Sequence, residues 1–406
     1  MTETMDDRDG RILSATDRGS ISRRRILRQS LLGGLWISGL PKQQLLAALA
    51  GEPSEPEPGE SFLGVVPFSG EGNPPLGEAV GTELDGRLLT DLSTLSPKNR
   101  TIPTGHFFVR TRASKLLNLA AWNIRVGGAV DKPITIRSEE LAKKSRAMGT
   151  HLMECSGNTR MAHFGLLSSA DWEGVPLAEI LESTKAQVTG ARVLISGFDQ
   201  YEEESMTSVA GASWIFTQEQ LHSSNAFLAT GMNGQPLTTD HGAPIRLFIP
   251  GWYGCTCIKW VNQIDFVSDD APATSQMREY ASRTLQTGVP ALARDYQPAT
   301  MCATAMPVRI EKWRVGGKIR YRVLGIRWGG SGFSTGIEIK FDEQEEFVPV
   351  QSIEPPSGDN WSFWSHDWIP SRTGEFTIRL RFKDEKASAK KLDSGYYDRS
   401  MKIDQV

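Results

Sequence analysis

The last quarter of the chain alternates. "KIRYRVLGIRW" (318–328), "STGIEIKFD" (334–342), "FVPVQSIE" (347–354), "WSFWSHDWI" (361–369) and "EFTIRLRFKD" (375–384) set apolar against polar residues, and turn-forming residues separate them. Successive side chains on a strand point to opposite faces, so each such segment buries one face and wets the other. Several in succession predict an antiparallel sandwich from about residue 306 onward.

Before that point the pattern is mixed. "AAWNIRVGGAV" (120–130) and "APIRLFIPG" (243–251) read as short strands ending in glycine turns. "PLAEILEST" (176–184) and "TQEQLHSSNAFLA" (217–229) have helical spacing. No strand–helix alternation is regular enough for a doubly wound sheet, so this region is expected to be an α+β body. With 406 residues the chain has room for two domains. A formal net charge of −3 argues against a nucleic-acid partner, which would call for a basic stripe.

The N-terminus reads as an address. Ser-Arg-Arg-Arg-Ile-Leu-Arg at 22–28 precedes the weakly apolar "SLLGGLWISGL" and an Ala48-x-Ala50 site. That order predicts a twin-arginine (Tat) signal over 1–50 and a periplasmic destination. The apolar run is too short for a permanent membrane span. Because the twin-arginine route carries folded proteins, the signal also suggests a cofactor inserted before export. "GEPSEPEPGE" at 51–60 reads as a Pro/Glu-rich tether with nothing to bury.

One stretch does not read as ordinary packing: "HLMECSGNTR", residues 151–160. Gly157 and Asn158 permit a tight turn that presents the Cys155 thiol, and Arg160 would favour its thiolate. A nucleophilic cysteine would want a histidine base, for which His151 and His163 are the local candidates. A soft metal is the other partner a single thiolate suits. The remaining cysteines are Cys255, Cys257 and Cys302. A Cys255–Cys257 bridge, a pairing of one of them with Cys302, and three unpaired residues all stay open.

"ECSGNTR" together with "IPTGHFFVRTRAS" (102–114) and "MNGQPLTTDHGAPIRLFIPGWYGCTCIKW" (232–260) closely resembles the sulfite-oxidase family of molybdenum enzymes. "AAWNIRVGGAVDKPITI", "ADWEGVPLAEIL" and "VLGIRWGGSG" follow in the family's order. The resemblance implies a molybdopterin-binding α+β domain over 61–300 and an immunoglobulin-like, dimerising domain over 301–406. It implies a molybdenum–molybdopterin cofactor, with Cys155 as the protein ligand to the metal. His241 and Arg246 would contact the pterin and its phosphate, beside Lys259. Phe108, Arg110 and Asp199 would line the pocket. Arg110, Arg160 and Tyr280 match the family's anion-binding and proton-handling positions. The activity implied is oxidation of sulfite to sulfate, with electrons passed to an external cytochrome c because no haem domain is apparent. A molybdenum reductase of S- or N-oxides, or a sulfane-dehydrogenase type of oxidation, is the alternative. Arg112 stands where the family commonly has histidine, and the tail departs from the pattern, with Arg399 a loose match for the last pocket cation.

Overall fold

In the computed structural model, residues 54–183, 192–330, 336–355, 360–384 and 389–406 are described. The expected signal at 1–50 and the first residues of the expected tether lie outside them. Four five-stranded sheets organise the rest.

Two of these sheets carry the alternating segments. In one, Thr304–Val315, Lys318–Trp328 and Ser362–Trp368 run antiparallel, with Glu60–Val66 at one edge and Ser352–Ile353 at the other. In the second, Ile337–Lys340, Gly374–Phe382 and Arg399–Ile403 are flanked by Val348–Pro349 and Phe68–Ser69. Alternation does its work along Gly374–Phe382, where Phe376, Ile378, Leu380 and Phe382 are buried. Trp368 of the first sheet stacks on Phe341 at 4.1 Å and meets Phe376 edge-on at 4.8 Å, so the inner faces touch.

These sheets revise two expected boundaries. Residues 60–69 do not join the body that follows them; Glu60–Val66 pairs with Thr304–Val315, and Phe68–Ser69 with Arg399–Ile403. Nor is the stretch from 54 to 60 an idle tether. The Ser54 amide donates to Glu311 Oε1 at 2.9 Å, and the buried Glu60 carboxylate lies against Arg320 and, at 3.6 Å, Arg322. Arg320 and Arg322, on the central strand of the sheet, give Glu60 partners that lie some 260 positions away, out of reach of a local reading.

The other two sheets form the α+β body. One is ordered Ser213–Thr217, Arg192–Gly197, Val261–Val267, Asn123–Gly128, Ile134–Arg137, with one parallel pair, Val261–Val267 beside Asn123–Gly128. The other runs Gln235–Pro236, Phe227–Met232, Leu167–Pro176, Arg146–Glu154, and Arg246–Phe248 also pairs with Phe227–Met232. The described residues also hold five short α-helices, α1 Ser138–Lys144, α2 Leu177–Glu182, α3 Gln218–Ser223, α4 Ser275–Glu279 and α5 Lys390–Asp393, besides single 3-10 turns and a two-stranded sheet of Ala79–Val80 with Arg87–Leu88. The helix expected over 217–229 is only half helix. Thr217 and Gln220 form a capping box at its start, but Asn225 takes φ 53° and Phe227 opens a strand. A left-handed asparagine ends a helix at little cost, and the apolar "FLA" then finds a sheet. Among the described residues no helix is long and apolar enough to cross a membrane.

Candidate active site

Cys155 follows directly on the strand Arg146–Glu154. Its amide donates to Leu166 O at 2.9 Å, continuing the pairing with Leu167–Pro176 by one step. The chain then turns: Asn158 N–H returns to Cys155 O at 2.9 Å, and Asn158 Oδ1 accepts from Leu166 N–H at 3.0 Å. The turn is braced from behind by the C-terminal segment. Lys391 of α5 donates to Ser156 O at 3.2 Å, Tyr396 donates to Asn158 O, and Tyr397 donates to Glu154 Oε1 at 2.7 Å. Trp328 Nε1 holds the other Glu154 oxygen at 2.9 Å. A backbone fixed on both sides aims the thiol one way.

It is aimed into a cavity that Phe108, Arg110, Asp199, His241, Arg246, Lys259 and Tyr280 also line. The structure thus brings together eight of the nine residues the resemblance implied. Burial and, less strongly, the Glu154 charge push the Cys155 thiol up, opposed by the Arg110 charge, an N–H from Gly157 and the Arg283 charge. Such a thiol stays protonated until something stronger than a nearby cation displaces the proton.

The ninth residue, Arg160, does not line the cavity. Its Nη2 donates to Asp398 O at 2.6 Å, and the cations that act most on the thiol are Arg110 and Arg283. Arg112 is bound to Asp240 at 3.0 Å. Arg399 is buried against both oxygens of Glu71 and stacks on Phe68, with the guanidinium 3.5 Å from the ring centre. Arg112 and Arg399 are thus paired with carboxylates, and neither Arg160 nor Arg399 is placed on the cavity wall where the resemblance implied an anion-binding cation. The four cysteines are all free and buried, and Cys255 and Cys257 face the same cavity as Cys155.

The cations that do face the cavity are bound to neutral acceptors. Arg246 donates to His241 O and Cys257 O, both at 3.1 Å, and its buried Nε has no partner. Burial brings its pKa down to about 10. Lys259 donates to Asp240 O at 3.0 Å and to Thr111 O, and burial followed by the Arg246 charge pulls it well below the usual lysine range. His241 Nε2 donates to Phe107 O at 3.1 Å and Nδ1 accepts from Thr238 Oγ1 at 2.7 Å. Burial keeps that imidazole neutral down to about 4. Asp199 accepts from Ala212 N–H at 3.0 Å, and burial raises it. Tyr280 caps α4, and burial and the Cys155 sulfur push its phenol up to about 12.

Arg87 escaped the sequence reading, since "ELDGRLL" carries no motif. Its guanidinium donates to Leu84 O at 2.7 Å, Gly86 O at 2.8 Å and Ser208 Oγ at 3.0 Å. Arg110 donates to the same Ser208 hydroxyl at 3.2 Å. Arg283 was also missed; its charge sits 5.3 Å from the Tyr280 ring centre.

Buried guanidinium and ammonium groups that meet only neutral acceptors, the Met153 thioether at 3.4 Å from Arg246 among them, are unfavourable unless an anion joins them. Among the described residues no group of three or more His, Cys, Asp or Glu could hold a metal ion by itself. One thiol beside uncompensated cations and an orphaned guanidinium N–H therefore fits an anionic group that carries most of a metal's ligands itself.

Comparison with known proteins agrees with that donor set. Residues 111–275 match the oxidoreductase molybdopterin binding domain. A nitrate reductase [NADPH] of Beauveria bassiana is 29% identical over 181 residues, 41% of this chain and 20% of the relative. The mitochondrial sulfite oxidase of Rattus norvegicus is 27% identical over 285 residues, 64% of this chain and 51% of the relative. That of Drosophila melanogaster is 24% identical over 331 residues, 75% and 56% respectively. The chain thus spans from a fifth to a little over half the length of these relatives. The sulfane dehydrogenase SoxCD from Paracoccus pantotrophus superposes with a TM-score of 0.58 at 18% identity, covering 92% of this chain and 86% of that one, a likeness of fold.

Proposed function

Since the chain belongs to the sulfite-oxidase family of molybdopterin oxidoreductases, we propose that it oxidises sulfite to sulfate in the periplasm. Sulfite and water become sulfate, two protons and two electrons, and an external cytochrome c takes the electrons. The molybdenum cofactor, when bound, supplies the oxygen transfer and accepts the electron pair. Cys155 is the thiol that would ligate the metal, surrendering its proton to do so. Arg246, Lys259 and the neutral His241 would hold the pterin and its phosphate. Arg110 would hold the substrate anion, and the Tyr280 hydroxyl would hold or pass a proton beside it. The observation that carries this reading is a cavity in which one thiol faces cations bound only to neutral acceptors. A small dianion is what such a cavity stabilises; a neutral sulfoxide is not.

Export by the twin-arginine route rests on Arg23 and Arg24 and the apolar run behind them. The two facing sheets of the C-terminal half support an immunoglobulin-like domain, which would carry a homodimer contact. The deciding experiment is steady-state sulfite oxidation by molybdenum-replete protein with cytochrome c as acceptor. Turnover of sulfite, and none of a neutral S-oxide with a reduced dye, is the expected result. Protein holding one molybdenum per chain that leaves sulfite untouched would refute the assignment.

A further inference from the structure

Glu154 is the last residue of the strand Arg146–Glu154, and alternation along an extended chain turns it away from its neighbour. Cys155 lines the cavity and Glu154 does not. The Glu154 carboxylate is 1% exposed, and both of its oxygens accept from neutral donors, the Tyr397 hydroxyl at 2.7 Å and Trp328 Nε1 at 2.9 Å. Lys391, the buried lysine of α5, aims its ammonium elsewhere. It donates to Ser156 O at 3.2 Å and lies over the rings of Tyr253, at 4.5 Å, and Tyr396, at 5.5 Å.

Burying a carboxylate without a cation is costly. A neutral glutamine of the same shape would serve both partners, its carbonyl accepting from the indole and its amide donating to the tyrosine oxygen. Hydrogen bonding therefore explains the shape at this position and leaves the charge unexplained. The cavity on the other side of Cys155 shows the complementary imbalance, cations that meet only neutral acceptors. The Glu154 charge reaches that side, since it acts on the Cys155 sulfur.

We propose that Glu154 is a positioning residue acting through Cys155: its carboxylate is a fixed negative charge that favours the oxidised metal and so lowers the reduction potential. The proposal rests on the reading of Cys155 as the metal's ligand, and not on the identity of the substrate. The counter-charge that Glu154 lacks within the chain is the metal itself. An oxidised metal carries more positive charge than a reduced one, and in a dry interior an anion behind its ligand stabilises the more positive state more. A lower potential makes the site readier to release electrons to an external acceptor.

The test is a dye-mediated redox titration of full-length, molybdenum-loaded protein, with metal content measured alongside. Glu154→Gln should load molybdenum as wild type does, and its potential should rise. At a fixed poise the ratio of oxidised to reduced metal should fall about tenfold, equivalent to ~59 mV for a one-electron step. Glu154→Asp, which keeps the charge, should recover most of the wild-type value. Glu179→Gln removes an exposed carboxylate on α2 and should leave the potential alone. An unmoved potential in loaded Glu154→Gln would overturn the proposal, as would a Glu154→Asp protein that shifts as far as the glutamine variant. A folded Glu154→Gln chain without molybdenum would make the carboxylate a support of the turn, and would overturn it too. If Glu154→Gln does not fold, Tyr397→Phe decides: stripping one donor from the carboxylate should lower the potential, and a rise or no change refutes the idea. A loaded wild type that ignores sulfite but shows the shift would sink the sulfite reading and keep this one. A sulfite-oxidising enzyme whose potential is indifferent to Glu154 would do the reverse. A wild type that binds no molybdenum would overturn both.

Discussion

Removing the charge of Arg246 should separate a guanidinium that waits for a ligand from one that holds the fold. Arg246 is 4% exposed and its pKa falls to about 10 through burial. Converted at about 1.4 kcal/mol per tenfold change in the proton equilibrium, that lowering is roughly 3 kcal/mol carried by the folded, cofactor-free chain. The sign follows from proton binding: the unfolded guanidinium holds its proton more tightly, so the penalty is in full force at every pH below about 10. Against it stand the bonds to His241 O and Cys257 O, worth roughly 1 kcal/mol each. Arg246→Met keeps the apolar volume over Trp172, on which the guanidinium now rests 5.6 Å from the ring centre. Cofactor-free Arg246→Met should therefore be as stable as cofactor-free wild type, or more stable by about 1 kcal/mol. Loaded protein should show the opposite, because a phosphate loses a charge-assisted partner worth roughly 1.5–3 kcal/mol. Urea unfolding followed by tryptophan fluorescence, on protein from hosts with and without cofactor synthesis, measures both halves; molybdenum content gives the second independently. A cofactor-free variant weaker than wild type by more than about 2 kcal/mol would make Arg246 a structural cation and refute the reasoning.

Cys155→Ser should fold but bind no molybdenum and turn over no sulfite, since a hydroxyl is a poor ligand for a soft metal; metal analysis decides, and an active, metal-bearing variant would remove the central assignment. His241 resists protonation down to about 4, whereas an unfolded imidazole takes a proton near ~6.5. Between those values the unfolded chain binds the extra proton, so cofactor-free stability should fall as pH drops through that window. His241→Gln should flatten this part of the stability–pH curve, and an unaltered slope would count against the buried neutral ring. Replacing Arg23 and Arg24 by lysines should hold unprocessed, active protein in the cytoplasm; normal accumulation in the periplasmic fraction would mean the signal has been misread.

Contiguous signals were legible and distant partners were not. The alternation of "EFTIRLRFKD" gives its strand and buried face directly, and the turn of Ser156 to Asn158 is implied by its residue types. Helical spacing over 217–229 misleads because one backbone angle at Asn225 switches the chain to a strand. At the site, sequence alone sets Arg110 and Arg160 side by side as anion-binding cations and leaves Arg112 and Arg399 as looser candidates. What separates them is the acceptor each one meets: a hydroxyl for Arg110, the Asp398 carbonyl for Arg160, Asp240 for Arg112, Glu71 for Arg399. Glu71 lies 328 positions from Arg399. Arg87 is hidden for the same reason, since its hydroxyl partner Ser208 lies 121 positions away.

The brace behind Cys155 fixes an order of events in the making of the protein. The strand, the turn and the thiol are translated first, and Lys391, which secures Ser156 O, emerges from the ribosome 235 residues later. Tyr396 and Tyr397 follow it. Until then the turn has its own sheet on one side and nothing on the other. A chain interrupted between 160 and 390 therefore carries the complete cysteine motif without the side chains that brace it. Only a polypeptide read through to its closing tyrosines carries every contact that braces the turn behind the thiol.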